Sequence, residues 1–203
     1  MAVKVKICGV TRVEDALAAC ELGADMIGLN FFRSSPRAVE LDAARVIAQA
    51  VAGRGVALVG VFVNSPRQRI EEIRLALNLD LLQFHGDEDN QAVSGWPLPV
   101  IRAWRVRGDR PLEWRERPAG DYVLLDRYDH ALFGGTGRAL PNLTLRGFDL
   151  GATIISGGLR PDTVSAAAAL KPWAVDVASG VERAPGIKDH VKMKEFISNA
   201  KSA

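Results

Sequence analysis

The sequence lacks any long apolar run. Its apolar stretches are short and interrupted, and none approaches the length needed to span a membrane. The amino terminus enters a predicted strand at once, which does not fit a secretory signal peptide. The two cysteines, Cys8 and Cys20, are too few for a disulfide framework. These absences predict a cytoplasmic protein with reduced thiols.

Excess charge of one sign and metal-ligand spacings are also missing. The net charge of the 203 residues is only +2, so no broad basic face indicates a nucleic acid partner. The three histidines, His85, His130 and His190, are scattered and lack the short spacings of a zinc site, so we expect no metal. No break in composition divides the chain, and we therefore expect one domain over residues 1–203.

What the sequence does have is a regular alternation of strand and helix signals. Eight β-rich or apolar runs predict strands at 3–7, 25–31, 56–62, 80–84, 100–106, 122–125, 153–156 and 173–177. Helical patterns follow them and are shortest at 88–93 and 111–117. Eight repeats predict an α/β fold, a (β/α)₈ TIM barrel with shortened fourth and fifth helices. An open doubly wound sheet is the alternative, but no Gly-x-Gly-x-x-Gly turn follows the first strand.

Two helices carry more specific predictions. Thr11 is expected to cap the first helix, with Glu14 as its capping-box partner. The last helix is expected at 189–199, with Val191, Phe196 and Ile197 on its apolar side.

Polar residues stand at the predicted carboxyl ends of the strands, where barrel enzymes place their active sites. Cys8 ends the first strand and Asp126 ends the sixth. This placement suggests an acid–base pair, in which a thiolate of low pKa takes a proton from carbon. The alternatives are a small buried cysteine and an aspartate that caps a turn. His85, at the end of the fourth strand, is either a site residue or a packed core histidine.

Glycines follow the seventh and eighth strands, as Gly157-Gly158 and Ser179-Gly180. In barrels this corner often holds a phosphate through backbone N–H groups. Two glycine turns without a ligand are the alternative, but their occurrence on adjacent strands favours phosphate. Arg37, in the loop after the second strand, is either a fork for a substrate carboxylate or a solvated loop residue.

Strand parity makes a further prediction for Lys6. If Cys8 points into the barrel mouth, Lys6 points inward one layer below, while Val5 and Ile7 face the helices. An ammonium ion inside a barrel needs a partner, and Asp176 on the eighth strand is the expected one. A cation in this place would favour the thiolate of Cys8. The alternative is a lysine that turns outward at a bulge.

Eight motifs, in order from residue 6 to residue 182, resemble those of the phosphoribosylanthranilate isomerases of tryptophan biosynthesis, and Gly186-Ile187-Lys188-Asp189 resembles the closing motif of the same family. They are Lys6-Ile7-Cys8-Gly9, Ser35-Pro36-Arg37, Val59-Gly60-Val61-Phe62, Gln83-Phe84-His85-Gly86, Leu124-Leu125-Asp126, Gly134-Gly135-Thr136-Gly137, Gly157-Gly158-Leu159 and Val175-Asp176-Val177-Ala178-Ser179-Gly180-Val181-Glu182.

The resemblance implies a cofactor-free Amadori rearrangement of N-(5-phosphoribosyl)anthranilate. By the family pattern, Asp126 is the general acid that opens the ribose ring. Cys8 is the general base that removes the C2′ proton, and Arg37 holds the anthranilate carboxylate. The residues at 138–142 depart from the family pattern, so no role is carried over to them.

The remaining site residues follow from the same resemblance. Phosphate binding is expected at Gly157, Gly158, Ser179 and Gly180, and further substrate binding at Gln83, His85 and Asp176.

Three alternatives to this activity are open from the sequence. An imidazole-pathway isomerase acting on two substrates needs a second phosphate corner, and a pentose-phosphate epimerase needs metal ligands that the strands lack. A non-catalytic barrel that binds a phosphorylated metabolite explains the glycines but not the pairing of Cys8 with Asp126. The expected partner is a small phosphorylated substrate, not a nucleic acid or a membrane, and the chain is expected to be a monomer or a homodimer.

Overall fold

The computed structural model describes residues 2–106, 117–127 and 148–203. Eight parallel strands pair in chain order, and the first pairs with the eighth to close a barrel. The strands are β1 Lys4–Cys8, β2 Met26–Asn30, β3 Ala57–Phe62, β4 Leu81–Phe84, β5 Val100–Val106, β6 Tyr122–Arg127, β7 Thr153–Ile155 and β8 Ala174–Val177. The predicted (β/α)₈ barrel is therefore confirmed.

Six α-helices are found in the described parts of the chain. They are α1 Val13–Glu21, α2 Leu41–Val51, α3 Arg67–Leu77, α4 Asn90–Val93, α5 Val164–Ala168 and α6 His190–Lys201. The fourth helix is a single turn, which agrees with the short helix predicted at 88–93. The fifth helix was predicted at 111–117, which lies outside the described residues except for its last position. None of the helices described is both long and apolar enough to cross a bilayer.

The predicted cap of α1 is wrong. Arg12, not Thr11, precedes the helix, and no side chain hydrogen-bonds to the helix end. The hydroxyl of Thr11 instead donates to the carbonyl of Gly186 at 2.6 Å, and Glu14 contacts Arg12. A tertiary contact thus replaces the local capping box.

The last helix differs at one predicted core position. Phe196 and Ile197 are buried as expected, but Val191 is 67% exposed. Asp189 caps the helix by accepting hydrogen bonds from the N–H groups of Val191 and Lys192. Val191 therefore lies in the first turn, beyond the edge of the core.

The apolar core has two layers, which follow from the alternation of side chains along parallel strands. The inner layer fills the barrel, and its buried members are Met26, Val59, Leu81, Ile101, Ala103, Leu124, Ile154 and Ala174. The outer layer packs the other face of the strands against the helices. Nearer the carboxyl ends of the strands, the buried side chains inside the barrel are polar and include Lys6, Gln83 and Asp176.

A small hairpin follows β8 and was not predicted. Its strands, β9 Glu182–Ala184 and β10 Ile187–Lys188, pair antiparallel outside the barrel. Glu182 and Lys188 are both buried. The hairpin returns the chain to β1, because the ammonium group of Lys188 donates to the carbonyl of Cys8 at 2.6 Å.

Candidate active site

A cavity of about 610 Å³ opens at the carboxyl ends of the barrel strands. This volume is within the usual range for a small-molecule site. All ten residues predicted for the site line it: Cys8, Arg37, Gln83, His85, Asp126, Gly157, Gly158, Asp176, Ser179 and Gly180. The closed barrel brings these residues together because parallel strands all end at the same rim.

Beneath the cavity, Lys6 forms a buried ion pair with Asp176. The two residues are register partners on β1 and β8, and the ammonium nitrogen lies 2.6 Å from Asp176 Oδ1. Ser156 completes the pair by donating its hydroxyl to Asp176 Oδ2 at 2.8 Å. The prediction for Lys6 is thus confirmed, and the outward-turned alternative is wrong. Burial alone would lower the pKa of Lys6, but Asp176 outweighs it and holds the pKa above its ordinary value.

The thiol of Cys8 lies beside this ion pair. Gly28, its register partner on β2, leaves room for the thiol, since a methyl group at Gly28 would lie 2.8 Å from Cys8 Sγ and 3.1 Å from Lys6 Nζ. Burial raises the pKa of Cys8, and the charge of Lys6 only partly opposes this. The low pKa expected from the sequence is therefore not found, although Lys6 acts in the expected direction.

Asp126 is connected to Gln83 through His85. His85 Nε2 lies 3.0 Å from Asp126 Oδ2, and Gln83 Nε2 lies 3.1 Å from His85 Nδ1. With the amide assigned in this way, Nδ1 accepts from Gln83 and the proton on Nε2 points to the carboxylate. The amide oxygen of Gln83 is buried and has no hydrogen-bond partner among the described residues. His85 thus lines the cavity and is not a packed core histidine, and its role in the site stays a prediction.

The corner between β7 and β8 is formed mostly by backbone. Gly157 and Gly158 have φ angles of 88° and 71°, which favour glycine. Gly180 approaches the carbonyl oxygen of Leu159 so closely that a methyl group there would lie 1.9 Å from it. In the described part of the chain, the N–H groups of Gly157 and Gly158 donate to no protein acceptor. The corner can therefore offer free donors to an anion.

Arg37 reaches the cavity from the loop after β2, but it is not simply solvated. Its guanidinium group forms a bidentate pair with Glu182, in which Nε lies 2.9 Å from Oε1 and Nη2 lies 2.7 Å from Oε2. The predicted fork thus has one edge occupied by a protein carboxylate. Whether the other edge binds a substrate carboxylate stays a prediction.

Sequence reasoning assigned no role to several residues of the site. Gly28 leaves room for the thiol of Cys8, Ser156 hydrogen-bonds to Asp176, and Glu182 pairs with Arg37. Lys188 in turn donates to Glu182. Glu182 and Lys188 lie within recognised motifs, which was the available signal, but their contacts depend on the unpredicted hairpin. The predicted motif at 134–137, the divergent loop at 138–142 and His130 lie outside the described residues. No cluster that could hold a metal ion occurs in the described parts of the chain.

Comparison with known proteins identifies the family. A family model described as N-(5'phosphoribosyl)anthranilate (PRA) isomerase matches residues 5–199. An N-(5'-phosphoribosyl)anthranilate isomerase from Pseudomonas fluorescens (strain Pf0-1) is 48% identical over 201 residues, which are 97% of this chain and 98% of the relative. One from Pseudomonas putida (strain F1) is 49% identical over 205 residues, which are 99% of this chain and 98% of the relative.

Solved structures agree with this match. The phosphoribosyl anthranilate isomerase from Thermus thermophilus superposes with a TM-score of 0.85 and is 34% identical, covering 98% of this chain and 99% of its own. A phosphoribosyl anthranilate isomerase in complex with reduced 1-(o-carboxyphenylamino)-1-deoxyribulose 5-phosphate superposes at 0.83 with 36% identity, covering 99% of this chain and 100% of its own. This chain therefore belongs to the N-(5'-phosphoribosyl)anthranilate isomerase family, and it is an isomerase of tryptophan biosynthesis.

Proposed function

We propose that Cys8 and Asp126 carry out the two proton transfers of an Amadori rearrangement. The substrate is N-(5-phosphoribosyl)anthranilate, and the product is 1-(2-carboxyphenylamino)-1-deoxyribulose 5-phosphate. The observation that carries the proposal is that a thiol and a carboxylate from different strands, β1 and β6, line one cavity together with a glycine-rich corner. General acid–base chemistry on a phosphorylated sugar needs these groups in one place.

The first step opens the ribose ring. Asp126, as a carboxylic acid, donates its proton to the ring oxygen, and the bond between this oxygen and C1′ breaks to give an iminium ion. His85 lies within hydrogen-bond distance of Asp126, and its Nε2–H donates to one carboxylate oxygen and so orients the carboxyl group. Gln83 holds the far side of the imidazole and fixes its orientation. After turnover Asp126 recovers its proton from solvent, and Cys8 releases to solvent the proton that it took from carbon.

The second step moves a proton from carbon. The thiolate of Cys8 removes the proton at C2′, which gives an enolamine that tautomerises to the ketone. The raised pKa of Cys8 reduces the fraction of thiolate at neutral pH but makes each thiolate a stronger base. Lys6 opposes the rise and keeps the thiolate accessible.

In this arrangement the residues that bind the phosphate and the carboxylate of the substrate are not those that transfer protons. The N–H groups at Gly157 and Gly158, together with Ser179 and Gly180, form the phosphate corner, since they face the cavity and donate to anions without a side-chain charge. Arg37, at another part of the rim, is the carboxylate-binding residue. Contacts of Gln83 and Asp176 with the substrate are expected to be secondary, because both side chains are already engaged with protein groups.

The test is the disappearance of anthranilate fluorescence when the protein is added to the substrate. We expect Cys8→Ala and Asp126→Asn each to reduce turnover by about 10²–10⁴-fold with little change in substrate affinity. Cys20→Ala and Asp42→Asn are the matched controls, because they make the same changes on the outer helices. Turnover near that of the wild type in either site variant contradicts the assignment.

The proposal also covers the compartment, the domain organisation and the oligomeric state of the protein. A site that depends on a reduced thiol fits a cytoplasmic enzyme. Residues 1–203 are taken as one barrel domain, because β1 pairs with β8 and α6 packs against β1. A monomer and a homodimer are both compatible with the fold, and a solved structure that is 32% identical is of monomers generated from the dimeric phosphoribosylanthranilate isomerase of Thermotoga maritima. Light scattering on the purified protein distinguishes the two.

A further inference from the structure

The pair of Arg37 and Glu182 belongs to a three-residue cluster at the edge of the cavity. Lys188 lies on the opposite side of Glu182, with its ammonium nitrogen 2.9 Å from Oε1. The side chain of Glu182 is 5% exposed and that of Lys188 is not exposed, whereas that of Arg37 is 24% exposed. Arg37 is therefore the member through which the cluster reaches a ligand.

The contacts with Glu182 determine which edge of Arg37 is available. Glu182 accepts from Nε and from Nη2, which together form one edge of the guanidinium group. The edge formed by Nη1 and the second N–H of Nη2 has no acceptor among the described residues. Arg37 lines the cavity and Glu182 does not. A carboxylate entering the cavity can thus make two parallel hydrogen bonds with the free edge.

Gly9 fixes the course of the Arg37 side chain. A methyl group at Gly9 would lie 2.7 Å from Arg37 Cδ and 3.1 Å from Cβ, so the aliphatic part of the arginine rests on the glycine backbone. Gly9 also has a φ of 68°, which disfavours other residues. The arginine is held from below by Gly9 and at its side by Glu182. Its rotamer is therefore set before a ligand binds.

Lys188 explains how the buried carboxylate of Glu182 can hold the side chain of Arg37. Burial alone would raise the pKa of Glu182, but Arg37 and Lys188 outweigh it and hold the pKa below its ordinary value. Lys188 also donates to the carbonyls of Cys8, at 2.6 Å, and Ala178, at 3.1 Å. The cluster carries two cations and one anion, and Arg37 is the cation that lines the cavity.

We propose that Glu182, anchored by Lys188, is a positioning residue that presents the free edge of Arg37 to the carboxylate of the substrate. This inference rests on the proposed function, in which Arg37 binds the anthranilate carboxylate. It assigns to Glu182 an effect on recognition of the aromatic acid and none on proton transfer. Pre-ordering of a long side chain lowers the entropy cost of binding, which is the physical basis of the effect.

The test compares two ligands. One probe is reduced 1-(o-carboxyphenylamino)-1-deoxyribulose 5-phosphate, and the other is the same molecule without its carboxyl group. We expect Glu182→Gln to weaken binding of the first probe by about tenfold, the loss typical of one charged hydrogen bond, and to leave the second within about twofold. Calorimetric titration measures both affinities without turnover. With the natural substrate, KM rises while kcat stays nearly constant.

Two further variants keep the test decisive. Glu182→Asp retains the charge that Lys188 needs but is too short to hold both nitrogens of Arg37, so it should give a smaller loss that is again confined to the carboxylated probe. Glu72→Gln is the matched control, because it removes a glutamate from an exposed pair with Arg69 on α3. It should change neither affinity.

An equal loss for both probes overturns the proposal, because it shows a general structural role for Glu182. Unchanged binding of both probes by Glu182→Gln also overturns it. Failure of the wild type to isomerise the substrate would instead contradict the roles of Cys8 and Asp126. In that case the comparison of the two probes still tests the positioning role of Glu182, because it measures binding and not turnover.

Discussion

Replacement of Lys6 by methionine tests the ion pair beneath the cavity. The side chain of Lys6 has no exposed surface and that of Asp176 is 7% exposed, so little water can replace the lost cation. Removing one partner of a buried pair costs about 3–5 kcal/mol. Because Ser156 continues to donate to Asp176, we expect the lower end of that range, about 3 kcal/mol. For a chain of this size, the melting temperature should fall by about 6–12 °C.

The free energy of unfolding is measured by urea denaturation at neutral pH. Arg69→Met serves as the control, since it breaks an exposed pair with Glu72 and should cost about 0.5 kcal/mol or less. Lys6→Met combined with Asp176→Asn should be more stable than Lys6→Met alone, because it removes the charge left without a partner. A loss for Lys6→Met as small as that of the control, or a double variant less stable than the single one, would refute the reasoning.

The same variant gives two pH dependences with defined signs. In the wild type the pKa of Lys6 is raised on folding, so its contribution to stability is complete below its unfolded value of 10.5 and is lost only at higher pH. Because Lys6 lowers the pKa of Cys8, its loss should move the basic limb of the pH–rate profile upward, and an unmoved limb removes this electrostatic role.

Three other substitutions test the geometry of the cavity. Arg37→Lys should raise KM by about tenfold, because an ammonium group cannot reproduce two parallel hydrogen bonds, and an unchanged KM contradicts carboxylate binding. Gly28→Ala places a methyl group 2.8 Å from Cys8 Sγ, so kcat should fall more than KM changes, and steady-state kinetics with normal kcat would show that the thiol has room to move. Gln83→Leu removes the donor to His85 Nδ1 and should lower kcat by about tenfold with a displaced pH–rate profile. A loss of stability with kcat unchanged would instead indicate a packing role for Gln83.

The fold and most of the cavity lining could be predicted because they depend on local rules. Strands and helices alternate in the sequence, and a parallel barrel collects the ends of all its strands at one rim. The pairing of Lys6 with Asp176 followed from the period of two along β1 and from closure of the barrel between β1 and β8. Neither of these two predictions required the conformation of a loop to be known.

The features that could not be predicted depend on contacts between loops that are distant in sequence. Thr11 has the sequence pattern of a capping residue, but Gly186 offers its hydroxyl a stronger tertiary acceptor. Glu182 meets Arg37 across 145 positions of the chain, and only the turn between β9 and β10 brings Lys188 behind it. Local periodicity contains no information on such pairs, so the orientation of Arg37 could not be derived from the sequence.

The environment of Cys8 shows why its pKa was predicted in the wrong direction. Lys6 lies beside the thiol and Lys188 binds the backbone carbonyl of Cys8, so two cations favour the thiolate. Each cation is already paired with a carboxylate, Asp176 or Glu182, and the negative charge of Asp176 acts against the thiolate. Desolvation then outweighs the remaining attraction and raises the pKa. A base that must take a proton from carbon benefits from this balance, because a thiolate of higher pKa is a stronger base and the nearby cations still allow it to form.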